Sequence, residues 1–436
     1  MIKRKIQKEI SNWLNSEEKN ALLISGVRQA GKTFIIEDTL ARENRDYVKF
    51  NLIEQEEVLR LLESTTGKGV KTLLATLSIL SDKPLIKGET VIFIDEVQEY
   101  KEMVTMIKFL VEEGSYRYIL SGSLLGVELN DLRSAPVGSL REIEMFPLDF
   151  EEYVMAVSGA GDEVLQLLKE SFVNASPVNE VLHERMMDLF YQYLIVGGMP
   201  KAVQTFIDSN DYYEVMKAHQ EIYPLYYRDF TKYEAKNNKL KLIAAYQLIP
   251  AELNKKNKRF KYSDLDKNLR FESFEDSFQW LVHAGVALPV YNVQKPVSPL
   301  LINRNSNLFK LFLSDIGMLS TMFGREVILK MLRKEKDINY GAIFENAVAQ
   351  ELRAHGYQGY YFNSKKQGEL DFLIEKDGTC LPIEVKSGKS YKFHSALTQV
   401  LSNDLYHINK AVVLCDFNVE KTDKITYYPV YMMMFL

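Results

Sequence analysis

Gly26-Val27-Arg28-Gln29-Ala30-Gly31-Lys32-Thr33 follows the pattern G-x-x-x-x-G-K-[ST], and with its flanks it restricts the fold more than any other stretch of the chain. Ahead of it the apolar run Ala21-Leu22-Leu23-Ile24-Ser25 reads as a buried parallel strand, and behind it Phe34-Ile35-Ile36-Glu37-Asp38-Thr39-Leu40 reads as a helix. Strand, glycine loop and helix come in the order that turns backbone N–H groups and the positive end of a helix dipole toward one point. The two glycines permit that turn because they take conformations other residues avoid. Such a cradle suits an anion like a triphosphate. Lys32 is placed to reach the β- and γ-phosphates and the Thr33 hydroxyl to ligate Mg²⁺, with Gly26, Val27, Arg28, Gln29, Ala30, Gly31 and Phe34 as the remaining nucleotide contacts. The bland alternative is a glycine-rich turn without a ligand.

A second signal stands at Thr90-Val91-Ile92-Phe93-Ile94-Asp95-Glu96, where a β-branched and aromatic run ends in two carboxylates, as in a Walker B strand. At the carboxyl end of a parallel strand Asp95 sits beside the glycine loop and can hold the Mg²⁺ shell. Glu96 is then the group that orients and deprotonates the attacking water. No Asn-Lys-x-Asp motif for reading guanine occurs, and the adjacent Asp-Glu favours ATP hydrolysis over GTP switching. Further strands are expected at Tyr47–Leu52, Tyr116–Ser121 and Arg141–Phe146, giving a repeated βαβ pattern. Ser121-Gly122-Ser123 closes the fourth strand. Either hydroxyl can face the γ-phosphate or the water, and Ser123 is assigned to the nucleotide; turn chemistry is the alternative. Arg133 and Arg141 are the nearby candidates for an arginine finger, with surface ion pairing as the plainer use of each.

At 436 residues the chain is long enough for two to four domains, and its 46% hydrophobic and 26% charged residues suit a globular protein. A net charge of -5 supplies no global attraction for nucleic acid, so such binding needs a local patch. Cys380 and Cys415 lack CxxC spacing, which argues against a disulfide framework or cysteine zinc site and for a reducing cytoplasm. The basic N-terminus has no apolar segment after it, so no secretory signal is expected. No run approaches the ~18 apolar residues of a membrane span. The terminal Tyr431–Leu436 reads as a last strand or a core plug.

Residues 151–336 read as helical. Glu151–Ala156 opens the region, Asp188–Ile195 continues it, and Gly197-Gly198-Met199-Pro200 marks a helix stop and turn. Gly159-Ala160-Gly161-Asp162 reads as a loop. Helices are expected over Leu240–Leu253 despite Pro250, over Ser263–Leu269, and from the capping-box residues Ser273–Asp276 through Trp280 and Leu281. With strands at Val286–Tyr291 and Leu308–Leu313 they suggest a winged helix. Lys255, Lys256, Lys258, Arg259 and Lys261 interleave with Phe260 and Tyr262 as a phosphate-binding patch for DNA or RNA, although the third helix is too apolar to lie in a groove.

The last hundred residues hold a second constellation. Glu369–Ile374 and Pro382–Lys386 read as strands joined by a turn at Asp377-Gly378, so that Glu384 and Lys386 project to one side, next to Asp371 if the two strands form a hairpin. The helical pattern Gly341–Leu352 can supply Glu345. This set resembles the PD-(D/E)xK nuclease arrangement, which implies that Asp371, Glu384 and Glu345 coordinate Mg²⁺ and Lys386 positions or activates the water. Cross-strand ion pairing on a solvated face is the alternative. Gln399 is an accessory polar residue on the following helix.

GVRQAGKT, VIFIDEVQ, ILSGS, PLDFEEY, YLIVGGMPKAV, YRDFTKY, FKLFLSDIGML, GAIFENAVAQEL, GELDFLI and PIEVKSG run in order through nearly the whole chain. The sequence resembles a prokaryotic family of AAA-type P-loop ATP-binding proteins joined to a C-terminal domain of unknown function. The resemblance implies an α/β architecture: an AAA-like parallel-sheet ATPase domain over 1–150, a helical and winged-helix connector over 151–336, and a nuclease-like domain over 337–436. Gly138-Ser139 departs from the family, where a basic residue often follows the glycine. The expected activity is Mg²⁺-dependent ATP hydrolysis controlling a C-terminal domain that acts on or binds nucleic acid. The alternative is an ATP-switched interaction protein whose nuclease-like fold is not catalytic. A small-molecule kinase is a third reading and has no evident acceptor pocket. ATP, ADP, DNA or RNA, and a second copy of the chain are the partners considered, with no membrane.

Overall fold

A computed structural model describes the chain except residues 1, 124–137, 160, 234–235, 266–273 and 336–337, and the side chains at 231–233 and 236–238. Two compact units emerge, one of residues 3–146 with 283–285 and the other of residues 1–2, 147–282 and 286–436.

In the first unit, strands β1 (Ala21–Ser25), β2 (Tyr47–Asn51), β3 (Val91–Asp95), β4 (Arg117–Ser121) and β5 (Leu140–Glu144) form a sheet in the order β2-β3-β4-β1-β5. All its pairings are parallel. Every residue of β1 and β3 is buried, which explains why those strands read as unbroken apolar runs rather than alternating ones. Helices α1 (Ile6–Leu14), α2 (Lys32–Arg42), α3 (Glu56–Ser64), α4 (Val70–Leu80) and α5 (Lys101–Glu113) supply the crossovers and flanks. On one face Phe50, Ile92, Ile94 and Leu120 pack with Leu62, Leu77, Met103 and Ile107 into a core. Because all five strands run the same way, β1 to β4 deliver Ser25, Asn51, Asp95 and Ser121 to a single edge of the sheet.

The second unit contains helices α6 (Phe150–Ser158), α7 (Asp162–Asn174), α8 (Glu180–Val196), α9 (Pro200–Ser209), α10 (Tyr212–Tyr233), α11 (Lys236–Leu253), α12 (Glu275–His283), α13 (Ile316–Phe323), α14 (Arg325–Leu332), α15 (Tyr340–Ala354) and α16 (Ser395–Leu401). Asp149 opens α6 with a full capping box on Glu152, and Pro200 opens α9 right after the Gly197-Gly198 break. The expected helix at Ser263–Leu269 is a 3₁₀ turn over Tyr262–Asp264, and its remainder, like the capping Ser273, lies outside the described residues.

Strands β6 (Ala287–Val293) and β7 (Arg304–Leu313) form the expected hairpin, but not as a free-standing wing. β6 also pairs in parallel with β8 (Tyr360–Ser364), making the hairpin one edge of an eight-stranded sheet with β9 (Gly368–Lys376), β10 (Thr379–Val385), β11 (Ala411–Cys415), β12 (Glu420–Lys421) and β13 (Ile425–Pro429). The reason is burial: β6 is almost wholly buried and needs a partner along both edges. This sheet therefore runs across the expected boundary between 336 and 337. The terminal apolar run is a 3₁₀ segment, Val430–Phe435, packed into the core as a plug. Among the described residues no helix is long and apolar enough to cross a membrane.

Candidate functional site

At the carboxyl edge of the first sheet the loop after β1 curls as the glycine pattern requires. Gly26 has φ 135° and a Cβ there would lie 2.1 Å from the Met145 carbonyl oxygen, while Gly31 caps α2 in the left-handed region at φ 92°. Lys32 is buried inside the curve, its ammonium donating to the carbonyls of Gly26 (2.8 Å) and Val27 (3.0 Å). Phe34, one turn into α2, is 54% exposed.

Asp95 is the hub of the site. It is 2% exposed and accepts hydrogen bonds from the Thr33 hydroxyl (3.0 and 3.1 Å), from Asn51 Nδ2 (3.1 Å) and from the Ser121 hydroxyl. Thr33 at the start of α2 thus meets Asp95 at the end of β3, and β4, which lies between β1 and β3, brings Ser121 to the same carboxylate. Ser123 is buried just beyond the end of β4, whereas the hydroxyl that touches Asp95 is that of Ser121.

Glu96 stands next to this hub in a strained posture, with φ 58° in the left-handed region, uncommon for a side chain with a Cβ. Its carboxylate accepts from Gln98 Nε2 at 2.6 Å, and Gln98 is itself buried. Asn51 and Gln98 are site residues that the sequence reading missed. Their signals are faint: Asn51 pairs in register with Asp95 at the end of an expected strand, and Gln98 stands two places after Glu96.

Arg4 was missed as well. Its guanidinium donates to the Ala30 carbonyl (3.2 Å) and the Phe146 carbonyl (2.7 Å), tying the glycine loop to the end of the sheet. Arg4→Ala is expected to lower the stability of this unit by about 2 kcal/mol, since charge-assisted hydrogen bonds are lost from a buried group. Denaturant unfolding measures it, and a midpoint equal to the parent's would remove Arg4 from this role. Of the two finger candidates, Arg141 ion-pairs with Glu18 at 3.3 Å on the surface, and Arg133 lies outside the described residues.

In the second unit the β9–β10 hairpin turns at Asp377 and Gly378 (φ 53° and 73°), the left-handed pair of a tight hairpin. That register brings Asp371, Glu384 and Lys386 together: Asp371 Oδ2 accepts from the Val385 N–H at 2.9 Å and Lys386 pairs with Glu384 at 2.6 Å. α15 adds the buried Glu345, and Glu345, Asp371 and Lys386 line a cavity of about 420 Å³, with Glu384 buried next to it. Burial and the neighbouring Glu384 and Glu345 carboxylates push the Asp371 carboxyl well above its ordinary range. Glu345 behaves oppositely. Burial acts to raise it, but Lys310 and Lys258 outweigh burial and hold it low.

Both lysines come from outside the expected motif. Lys258 bonds one Glu345 oxygen and the fully buried Lys310 approaches the other at 3.4 Å while also pairing with Glu369 at 2.7 Å. The expected basic patch is therefore divided: Lys258 faces this cavity, Lys255 pairs with Glu252 and Asp264, and Phe260 is buried, stacked on Phe274 and Phe309. Phe260 is core rather than a platform for bases. Glu384 Oε2 is buried without a hydrogen-bond partner among the described residues, an acceptor left unsatisfied next to the Lys386 pair. Gln399 is exposed on α16.

Residues 18–154 match the family model of an AAA domain. The first unit carries an AAA-type P-loop fold. Beyond this AAA domain, residues 187–327 match one domain of unknown function (DUF8612) and residues 340–433 another (DUF4143). Similar solved structures include a Walker-type ATPase of Pyrococcus abyssi, 14% identical with a TM-score of 0.47, covering 74% of this chain and 96% of that one. Cdc6p of Pyrobaculum aerophilum is 12% identical with a TM-score of 0.28, covering 76% and 94%. The RuvB Holliday junction branch migration motor of Thermotoga maritima is also 12% identical with a TM-score of 0.28, covering 66% and 89%. No curated protein matches the chain.

Proposed function

We propose that the AAA domain binds ATP with Mg²⁺ and hydrolyses it to ADP. The reading is carried by one observation: the Thr33 hydroxyl and the Asp95 carboxylate lie 3.0 Å apart at the mouth of the glycine loop, a donor set of hard oxygens suited to Mg²⁺. Bound there, Mg²⁺ neutralises charge on the phosphate oxygens. Gly26 to Gly31 present backbone N–H groups to the phosphates, and Lys32 turns its ammonium from the loop carbonyls to the β- and γ-phosphates. Glu96, held by Gln98, orients the water and takes its proton; Ser123 is assigned to the γ-phosphate side, and Asn51 and Ser121 fix the Asp95 carboxylate. Phe34, exposed beside the loop, is free to cover the nucleotide. Calorimetry of the folded protein with MgATP tests the whole reading. A micromolar-range isotherm is expected, and no heat at any magnesium concentration would sink it.

For the second unit we propose a nuclease-like site that engages a nucleic-acid backbone through a divalent cation. The orphaned Glu384 oxygen beside Asp371 fits a hard cation, with Glu345 as the further ligand once a lysine gives way. The cation would supply charge stabilisation at a phosphodiester, and Lys386 would position the water. A second reading has its own support: Glu345 is already bonded to lysines and one Glu384 oxygen to Lys386, an ion-pair set that suits an ATP-switched interaction module. Incubation with Mg²⁺ or Mn²⁺ and a panel of single-stranded, double-stranded and branched DNA and RNA separates them. Cleavage lost in Asp371→Ala supports the first, and no cleavage alongside intact ATP turnover supports the second. Cys380 and Cys415 are buried free thiols, in keeping with a cytoplasmic protein. An arginine supplied by a second copy of the chain would complete the ATP site, and a homo-oligomer is part of this proposal.

A further inference from the structure

The cavity around Asp371 has a wall that comes from far along the chain. Arg259 bridges antiparallel to Lys310, the Phe260 N–H donates to the Phe309 carbonyl at 2.9 Å, and the Phe260 ring stacks on that of Phe309. The anchor pins residues 259–260 to the edge of β7 and leaves Lys258, just before it, lining the cavity with its ammonium on Glu345. The two lysines on Glu345 are not equivalent. Lys310 stands in a strand, is fully buried and is clamped between Glu345 and Glu369, whereas the Lys258 side chain is 16% exposed and follows the irregular segment after α11.

We propose that Lys258 is an exchangeable counter-ion of this site: it holds Glu345 until a divalent cation takes the carboxylates, and the displaced ammonium then contacts the phosphodiester of a bound nucleic acid. The proposal rests on the cation-site reading given above. Charge supports the exchange. Four carboxylates, those of Glu345, Asp371, Glu384 and Glu369, stand among three ammoniums, those of Lys258, Lys310 and Lys386, so an added divalent ion leaves an excess of positive charge, which is what a phosphodiester neutralises. The ion and an ammonium bonded to the same carboxylate repel each other. A four-carbon stem lets Lys258 move aside while its backbone stays on the sheet edge. Lys310, walled in on every side, has no such course.

The test uses Mn²⁺ as the probe on the full chain, by calorimetry without nucleotide, and counts only binding that disappears in Asp371→Asn. Lys258→Met is expected to tighten that binding about tenfold, because the cation's competitor is gone. Lys258→Arg, which retains a cation on Glu345, is expected to stay within about twofold of the parent, and it guards against a folding defect in the first variant. In Mn²⁺, anisotropy of labelled single- and double-stranded oligonucleotides should show weaker binding by Lys258→Met, with the slope of log K against log salt reduced by about one. An Mn²⁺ affinity equal to the parent's overturns the exchange. An unchanged salt slope, or no Mn²⁺-dependent association with either oligonucleotide in the parent, overturns the phosphate contact. A parent with no Asp371-dependent Mn²⁺ binding removes the cation-site reading itself, an outcome distinct from the other two.

Discussion

Glu96→Gln is expected to lower ATP turnover by about 10²- to 10⁴-fold, the range that a positioned general base contributes, while nucleotide affinity stays within about threefold of the parent. The substitution is nearly isosteric. Its amide oxygen can still accept the Gln98 hydrogen bond that Glu96 takes at 2.6 Å, so the side chain keeps its place and loses only its basicity. Asp95 cannot substitute as the base, because three donors already converge on its oxygens. Lys32→Ala should act differently, since it withdraws the one ammonium inside the loop and weakens binding and turnover together. Steady-state phosphate release and calorimetry with MgATP, run on both variants, separate the two roles. Hydrolysis by Glu96→Gln at the parent rate would mean that another group activates the water.

What the sequence revealed of this site, and what it hid, follows from how far apart the partners lie along the chain. Gly26 to Thr33 and the strand ending at Asp95 were legible because each couples a local conformation to a local chemistry within a few residues. The β9–β10 hairpin was legible for the same reason: Asp377-Gly378 fixes the turn, and the turn fixes which side chains share a face. Arg4 reaches Phe146, and Lys258 reaches Glu345, across stretches with no periodicity to announce the contact. Lateral pairing was hidden too. The composition of β6 signals burial, but nothing in it says that β8 will be the neighbour. The lysines around Glu345 matter most here, because they turn an expected cluster of acids into a set of ion pairs and so change what the cavity can bind first.

The Gly197-Gly198 break is where a small change should do the greatest damage to the second unit. A Cβ on Gly198 would lie 2.1 Å from the Leu148 carbonyl oxygen and 2.7 Å from the Leu148 nitrogen, far inside any real contact. The strand-like approach that forbids it is held by short bonds: the Leu148 N–H donates to the Gly198 carbonyl at 2.7 Å, and the Gly198 N–H donates to the buried Asp315 carboxylate at 2.6 Å. Asp315 also caps α13 by accepting from the Met318 N–H at 2.9 Å, so one carboxylate joins the end of α8 to the start of α13. Gly198→Ala must push Leu148 away, and it then breaks a hydrogen bond to a buried charge as well as overpacking the junction. Adding an overpacking cost of 1–3 kcal/mol to a lost charge-assisted bond gives about 4 kcal/mol of destabilisation, enough to leave little soluble folded protein. Thermal unfolding and limited proteolysis read the effect. Gly161→Ala serves as the control, because a Cβ at that position meets nothing within 4 Å, and its expected change is only that of a poorer N-cap on α7, about 0.5–1 kcal/mol. If both variants melted with the parent, the close approach at Gly198 would not be what holds the two helix ends together.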